Sequence, residues 1–516
     1  MVAMALSILP VFRQGFAVLA VSLLLLALVA RTLYSVYFGP LAKFPGPKLA
    51  AATLWYEFYY DVIKMGRYTF KIKEMHEKYG PIVRISPYEL HINEPDYYEE
   101  LYSQHKPRNK YGFYLNQFEL PGSTFGTEDY RSHRRRRAAL NPFFAKQQIY
   151  RLQPMLTHMI EKLCNRIDEF QKTGQPMPMR QVYMCLTTDV VTLYAVNKSW
   201  NHLDSPEFSP LWVETIKAVG VAGALIKQFP WVLPLVRLVP REVLRKLDPG
   251  MAMLLDFQEL IQENTQAVVD GKYKSSKEQE DLGIDKTIFH ALLESDLPPE
   301  DKLQSRLWQE GQVVIGAGAD TTANAITITH FHILDNPEVE KKLRLELAAA
   351  LPDKYAPVQL KAVEQLPYLN AVIQEGLRFS YGVSTRLQRS NPIGVMKFHD
   401  YEIPAGTPVG MTSVLMHANP TIYPEPEKFR PERWLEKRPE GAPPLDRYMV
   451  SFTKGSRQCV GMPLAKAELH LTLATVFRRY EKHELLETTR RDVDIHHDLF
   501  LPSAVLDSKG VRVVFK

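Results

Sequence analysis

The chain has 516 residues, 45% of them hydrophobic and 23% charged, which is enough apolar material for a large buried core and excludes a chain of extensive disorder. Its 63 basic and 58 acidic residues leave a formal charge of only +5, so it lacks the electrostatic footprint of a nucleic-acid binder and suits at most anionic lipid or an acidic protein. Three cysteines, Cys164, Cys185 and Cys459, exclude a disulfide framework and a cysteine-rich zinc cluster.

The amino end comes first. Gly15 to Ala30 is almost continuously apolar, and after Arg31 the stretch Thr32 to Pro40 extends it. With its flanks the run reaches about twenty residues, the length of one bilayer span. Arg31 can snorkel, and Tyr34 and Tyr37 suit the membrane interface. A cleaved signal peptide is the competing reading. The charge order disfavours it, because Arg31, Lys43 and Lys48 follow the apolar run while Arg13 alone precedes it. The same asymmetry predicts a cytosolic body with the amino end in the lumen. Phe44-Pro-Gly-Pro47 reads as a stiff turn that aims the body at the membrane.

Thr69 to Lys78 has a helical pattern, and Ile82 to Ile92 alternates like short strands. Long amphipathic stretches at 145–170, 250–270 and 302–350 predict helices. Lys272 to Asp285 is polar and predicts an exposed loop. Strand-like pieces gather in 396–414. Cys164 and Cys185 lie in apolar helical patterns as buried, inert thiols. The sum is a mainly α body with small β-sheets, without repeats or a dividing linker, so residues 41–516 read as one domain behind an anchor at 1–40. Leu225 to Pro240 is apolar and broken by prolines; it is either a kinked core helix or a surface-inserting loop beside a hydrophobic entrance. The Asn197-Lys-Ser199 sequon would stay unmodified in a cytosolic body.

Two segments carry chemistry. In the helix starting near Leu303, Ala317-Gly318-Ala319-Asp320-Thr321-Thr322 is poor helix material and needs another reason to be there. In Phe452-Thr-Lys-Gly455-Ser-Arg457-Gln-Cys459-Val-Gly461, a thiol stands between glycines, two residues after an arginine. Glycines here let the backbone approach a large flat group, amides can donate to the sulfur, and Arg457 can meet an anion. A haem with an axial thiolate and two propionates satisfies all three demands. Glu375-Gly-Leu-Arg378 adds an acid and a base one turn apart, and Phe429-Arg-Pro-Glu-Arg433-Trp434 a further arginine.

Phe452 to Gly461 resembles the haem-binding loop of the cytochrome P-450 monooxygenases, with Phe452, Gly455, Arg457, Cys459 and Gly461 in register, and Ala465 to Leu469 is similar to the helix that follows it. The resemblance implies the family's helical fold and haem b (iron protoporphyrin IX) with Cys459 as axial iron ligand. It implies that small residues around Gly318 bring the helix close over the haem, that Thr321 hydrogen-bonds at the oxygen-activation site, and that Asp320 relays protons from solvent. Glu375, Arg378 and Arg433 are implied to form an ion network behind the proximal haem face. Propionate contacts fall to Arg457, to His133 and Arg137, and to Arg389 with Arg386 as rival. The family often has tryptophan where His133 stands, so only Arg137 of that pair matches its pattern. The other arginines of the 133–137 run are expected to face solvent and receive a reductase.

No dinucleotide fingerprint or flavin domain is evident. The resemblance therefore implies electrons from a separate NADPH-dependent reductase, with cytochrome b5 as a second donor, at the endoplasmic reticulum membrane. Tyr111 to Phe118, Leu225 to Phe229, Ser380 to Ser384 and Leu501 to Val505 match the family's pocket-lining regions by position and suit a lipophilic small molecule. Residues 134–144, "RRRRAALNPFF", and 375–384, "EGLRFSYGVS", are similar to filamentous-fungal enzymes of the trichodiene-oxygenase type. That implies a secondary metabolite, a terpenoid ahead of a polyketide or indole alkaloid. A peroxide-rearranging relative or a plain haem carrier would have no use for Asp320 and Thr321, and a haem-free anchored interaction protein would leave the Cys459 loop unexplained.

Overall fold

Helix Gln304–Leu334, 31 residues long, runs through the body, and the rest is arranged around it. The structure, a computed structural model, describes the backbone of residues 2–273, 275–284 and 286–516, and of these the side chains beyond residue 17 except that of Glu278. The side chains of Arg13 and Gly15 to Ala17, and residues Lys274 and Asp285 of the polar loop, lie outside this description.

The central helix packs against Met179–Val196, Pro249–Val269, Pro367–Ser380 and Met462–Arg479. It is buried on most sides although it carries many hydroxyls. Thr327 and Thr329 solve this by donating to the carbonyls of Ala323 and Ala325 at 2.7 and 2.6 Å, so neither hydroxyl needs water. Leu163, Leu186, Ile315, Ile326, Phe331, Leu369 and Leu469 join these helices in one apolar core. A second core, with Ile82, Leu90, Ile92 and Val409, lies over a sheet in which Ile82–Arg84 pairs antiparallel with Leu90–Ile92 and the latter pairs parallel with Val409–Gly410. The remaining sheets are small: Met177–Pro178 with Arg512–Phe515 and His483–Leu485, the hairpin Met396–Phe398/Tyr401–Ile403, and the hairpin His497–Leu499/Leu501–Ser503. The expected mainly helical body with small sheets is what the chain forms.

The helix expected at Thr69 to Lys78 spans Tyr68–Tyr79. The 145–170 stretch is two helices, Lys146–Arg151 and Gln153–Thr173, restarting where Pro154 cannot donate a backbone bond. The 302–350 stretch likewise breaks before Pro337. The polar loop after Lys272 contains a short helix, Lys277–Asp281, and buries Ile284 at its end. Leu225 to Pro240 is not a core helix. Helix Pro210–Gln228 stops, a turn leads to Val232–Val236, and Trp231, Leu235 and Leu238 stand 61%, 54% and 78% exposed. Cys164 and Cys185 are fully buried, and burial pushes the Cys164 thiol up to about 12. Asn197 of the sequon is buried too.

One amino-terminal helix, Val2–Tyr37, includes Val18–Tyr37, 20 residues of mean hydropathy 2.0 that are long and apolar enough to cross a membrane as a single-pass anchor. Its end is tied to the body by Arg84, which donates to the carbonyl and the hydroxyl of Ser35, each at 2.9 Å.

Candidate active site

The Phe452–Gly461 run folds back on itself. Thr453 N donates to Val450 O at 2.8 Å, Cys459 N donates to Phe452 O at 3.0 Å, and Gly455–Arg457 makes one tight turn between them. Gly455 has φ +75°, and a Cβ there would stand 2.0 Å from the Tyr102 carbonyl oxygen. The glycine is thus required by the close passage of the Tyr102–Ser103 backbone. Gly461 is different: a Cβ would meet nothing within 4 Å, so the backbone there is open to whatever fills the space.

Gly461 also precedes helix Met462–Arg479, and the amides of Gly461 and Met462 point at the Cys459 sulfur. Burial raises the thiol's pKa, while these amides and Arg137 pull it back toward the thiolate. The surface that Cys459 exposes opens into an internal cavity of about 680 Å³, lined also by Phe452, Gly461, Ala317 and Thr321.

Cations gather at one side of this cavity. Arg457 donates to the carbonyls of Thr127 and Glu128 at 2.8 and 2.7 Å and keeps a buried Nε without a partner. Burial, and then Arg389, bring its pKa down to about 9. The Arg389 guanidinium donates to the backbone carbonyls of Leu387 and Gln388, and the residue lines the cavity. Its rival Arg386 does not: it is fully buried against Glu57 and Glu89, behind the wall. His133 lines the cavity as a neutral ring, pushed to about 2 by burial and by Arg457, Lys110 and Arg137. Arg137 donates to the Gln458 carbonyl at 2.6 Å, next to the cysteine.

Lys110 joins them, a residue the sequence reading missed by one position, since its pocket-lining segment began at Tyr111. Its ammonium donates to the Phe125 carbonyl at 2.5 Å and sits 3.8 Å over that ring. Burial, then Arg457 and Arg389, depress its pKa strongly. Among the described residues no carboxylate forms an ion pair with Lys110, Arg389 or Arg457. Such a cluster is unstable on its own and calls for an anion.

On the opposite wall the central helix presents Ala317 and Thr321. The Thr321 hydroxyl donates to Ala317 O at 2.7 Å. Asp320 turns aside to Arg180 of helix Met179–Val196, which also bonds Asn324. Gly318 faces that same helix, and a Cβ would lie 2.8 Å from Val191 Cγ2. Its missing side chain makes room for that helix, and Gly318 also lines the cavity.

Glu375 is completely buried and fully used. Arg378 donates to both its oxygens at 3.0 and 2.8 Å, and Arg433 Nε, the Arg430 amide and Trp434 Nε1 donate at 3.0, 3.0 and 2.9 Å. In the 133–137 run, by contrast, Arg135 and Arg136 are tied to buried Asp301 at 2.8 Å each, which Arg306 also faces. Arg136 is thereby largely covered, while Arg134 and Arg135 stay exposed, Arg135 at 48% even with its ion pair.

These residues fit a haem. Among the described residues no group of His, Cys, Asp and Glu could hold a bare metal ion, so a lone cysteine suits iron already held by a macrocycle. The cations Lys110, Arg389 and Arg457, without an ion-paired carboxylate among the described residues, suit two propionates, and the open backbone at Gly461 leaves room for the ring.

A helical body with a cysteine loop under a threonine-bearing helix defines the class of haem-thiolate monooxygenases. The chain belongs to the cytochrome P-450 family, whose profile matches residues 47–509. It is 50% identical over 505 residues to the cytochrome P-450 monooxygenase MO6277 of Ascocoryne sarcoides, covering 96% of this chain and 97% of the relative. It is 43% identical to the tryptophan 6-hydroxylase fscE of Fusarium equiseti (92% of each chain) and 41% identical to the N-acetyltryptophan 6-hydroxylase ivoC of Emericella nidulans (95% and 96%). The likeness these relatives show is to fungal cytochrome P-450 monooxygenases at large, which is coarser than the trichodiene-oxygenase type.

Proposed function

We propose that this enzyme inserts one oxygen atom from O2 into an indole-type aromatic secondary metabolite, with haem b held by Cys459. The observation that carries the haem assignment is the pairing, in one cavity, of the Cys459 sulfur with the cations Lys110, Arg389 and Arg457, with which no carboxylate among the described residues forms an ion pair. The substrate class follows the names of the two tryptophan-acting relatives, and so departs from the terpenoid expectation.

In this reading Arg457, Arg389, Lys110 and His133 hold the propionates, and Arg137 fixes the Gln458 carbonyl beside the ligand. When bound, the haem supplies the redox and oxygen-activating chemistry, which the axial thiolate favours. The chain supplies protons and position. Asp320, reached from solvent past Arg180, relays protons toward the Thr321 hydroxyl, which, freed from its bond to Ala317 O, passes them into the cavity. Electrons come from an NADPH-dependent reductase, with cytochrome b5 as a second donor. Residues 1–40 anchor the catalytic domain, 41–516, on the cytosolic side of the endoplasmic reticulum membrane.

The test is the reduced, carbon-monoxide difference spectrum of the membrane fraction. A Soret band strongly red-shifted from that of histidine-ligated haem, and lost in Cys459→Ala, is expected. Its absence from folded, well-expressed protein overturns the proposal.

A further inference from the structure

We infer that Phe118, Phe125 and Phe500 form an aromatic box that selects a flat aromatic ring in the substrate; the inference rests on the monooxygenase reading above. The three rings are mutually edge-to-face. Phe118 and Phe125 lie 5.1 Å apart at 86°, Phe118 and Phe500 4.9 Å apart at 71°, and Phe125 and Phe500 6.3 Å apart at 85°. All three line the cavity, and none is fully buried. Rings that served only the core would bury their surface in it; here the remaining surface faces the space above Cys459. The box stands at the cation cluster, because the Lys110 ammonium covers one face of Phe125 at 3.8 Å.

Phe500 is the informative member. It is the single residue between the paired positions Leu499 and Leu501, and its φ is +75°. A positive φ is a strained backbone conformation for a bulky side chain. The surroundings hold it there from both sides. Ser384 N donates to Phe500 O at 3.1 Å and Ser384 Oγ to Asp498 Oδ1 at 2.7 Å, while Asp498 N donates to Gly66 O at 2.8 Å. Above it, Gly220 of the roof helix Pro210–Gln228 lets the hairpin press close, since a Cβ there would lie 2.7 Å from Leu499 O. Glycine or asparagine would fit this turn without strain. A phenylalanine in that position is explained by where its ring goes.

Edge-to-face rings present both positive edges and negative faces to a guest, an arrangement that complements a planar π-system and gives a saturated skeleton nothing beyond its area. The substrate class is thus a planar aromatic, with Phe118, Phe125 and Phe500 as specificity-determining residues.

The experiment titrates the haem-loaded full-length enzyme with N-acetyltryptophan and with the ring-saturated N-acetylcyclohexylalanine, following the Soret shift. Wild type is expected to bind the aromatic probe about tenfold more tightly than the saturated one. Phe500→Leu and Phe118→Leu should each reduce that ratio about three- to tenfold. Phe500→Gly should lose the preference while its thermal midpoint stays within about 3 °C, because relief of the positive φ offsets the lost ring contacts. An enzyme that gives the carbon-monoxide band yet binds both probes equally, or neither, overturns the box and leaves the monooxygenase standing. So do variants that weaken both probes alike. Loss of the band in wild type overturns the underlying reading instead.

Discussion

The Val450 amide donates to Nε2 of His417 at 3.1 Å, and this bond joins the buried ion network to the loop that carries Cys459. The other ring nitrogen of His417, Nδ1, donates to the Arg378 carbonyl at 3.0 Å, and Arg378 grips Glu375. The cysteine loop is therefore held by a chain of bonds that ends on one carboxylate. Glu375→Gln leaves Arg378 and Arg433 buried without a counter-charge, at about 3–5 kcal/mol of stability. Urea unfolding should register that loss together with failure to retain haem. His417→Ala should cost less, about 1–3 kcal/mol, and still reduce haem content, because it cuts the link and spares the charges.

Asp320 and Arg180 make a different pair, at the edge of the core, with side chains 13% and 30% exposed. Removing one partner of a partly covered pair costs about 1 kcal/mol, less than at Glu375, so Arg180→Met should lower the thermal midpoint modestly. Its effect belongs to proton supply. Asp320→Asn should lower turnover about a hundredfold and raise the solvent isotope effect, with the carbon-monoxide spectrum unchanged. Arg180→Met should alter the pH profile of turnover more than its maximum. Asp320→Asn at wild-type rate and isotope effect would remove Asp320 from the relay.

What could be read from the sequence was what lies close together along it. The Phe452–Gly461 run carries its glycines, cation and thiol within ten positions, and Glu375 with Arg378 lies one helical turn apart. The partners that decide roles are distant. Arg180 reaches Asp320 across 140 positions, and Arg135 reaches Asp301 across 166. No periodicity encodes such pairs, so Arg136, expected at a docking face, is drawn against the body, and Arg135 is tied to the same carboxylate while still half exposed. The same holds for glycines. Gly318 and Gly455 look alike as small residues near a cofactor, and only the positions of Val191 and the Tyr102 carbonyl reveal that they make room for protein. Leu225 to Pro240 was ambiguous for a related reason, since an apolar run has the same composition whether a core or a membrane covers it.

Acid should destabilise the protein through its buried histidines. Burial holds His76 near 4, His417 near 3 and His483 near 3, against an ordinary value of 6.5. Between those values and 6.5 the unfolded chain binds protons that the folded chain refuses, so stability falls as pH drops through 6.5. Each such group steepens the fall by up to about 1.4 kcal/mol per pH unit. Asp498, pushed up to about 6 by burial, works the other way, as do buried Glu310 and Glu468. The lowered histidines, among them also His91, His202, His330 and His332, are more numerous. The thermal midpoint should therefore decline from pH 6.5 to about 4.5. His417→Gln should make that decline shallower by one proton, and an equal slope in the variant would show that His417 titrates normally.

Removing the amino-terminal helix should not free the protein from membranes. Trp231, Leu235 and Leu238, at the end of the roof helix, and Leu49 and Trp55, just after the anchor, are all more than half exposed. The two groups meet through rings, with Phe229 6.0 Å from Trp55 and 6.1 Å from Trp231. They form one apolar surface on the side from which the anchor departs. Immersing such a side chain in the acyl boundary gains about 1.5–3 kcal/mol at most, so several together suffice for interfacial binding. A chain lacking residues 1–40 should still sediment with vesicles of zwitterionic lipid. High salt should not release it, because the attraction is apolar rather than ionic. Changing Trp231, Leu235 and Leu238 together to glutamine in the truncated chain should shift it to the supernatant without altering its thermal midpoint. Sedimentation that persists in the triple variant would move the contact to another face, and release of the truncated parent by salt would make it electrostatic.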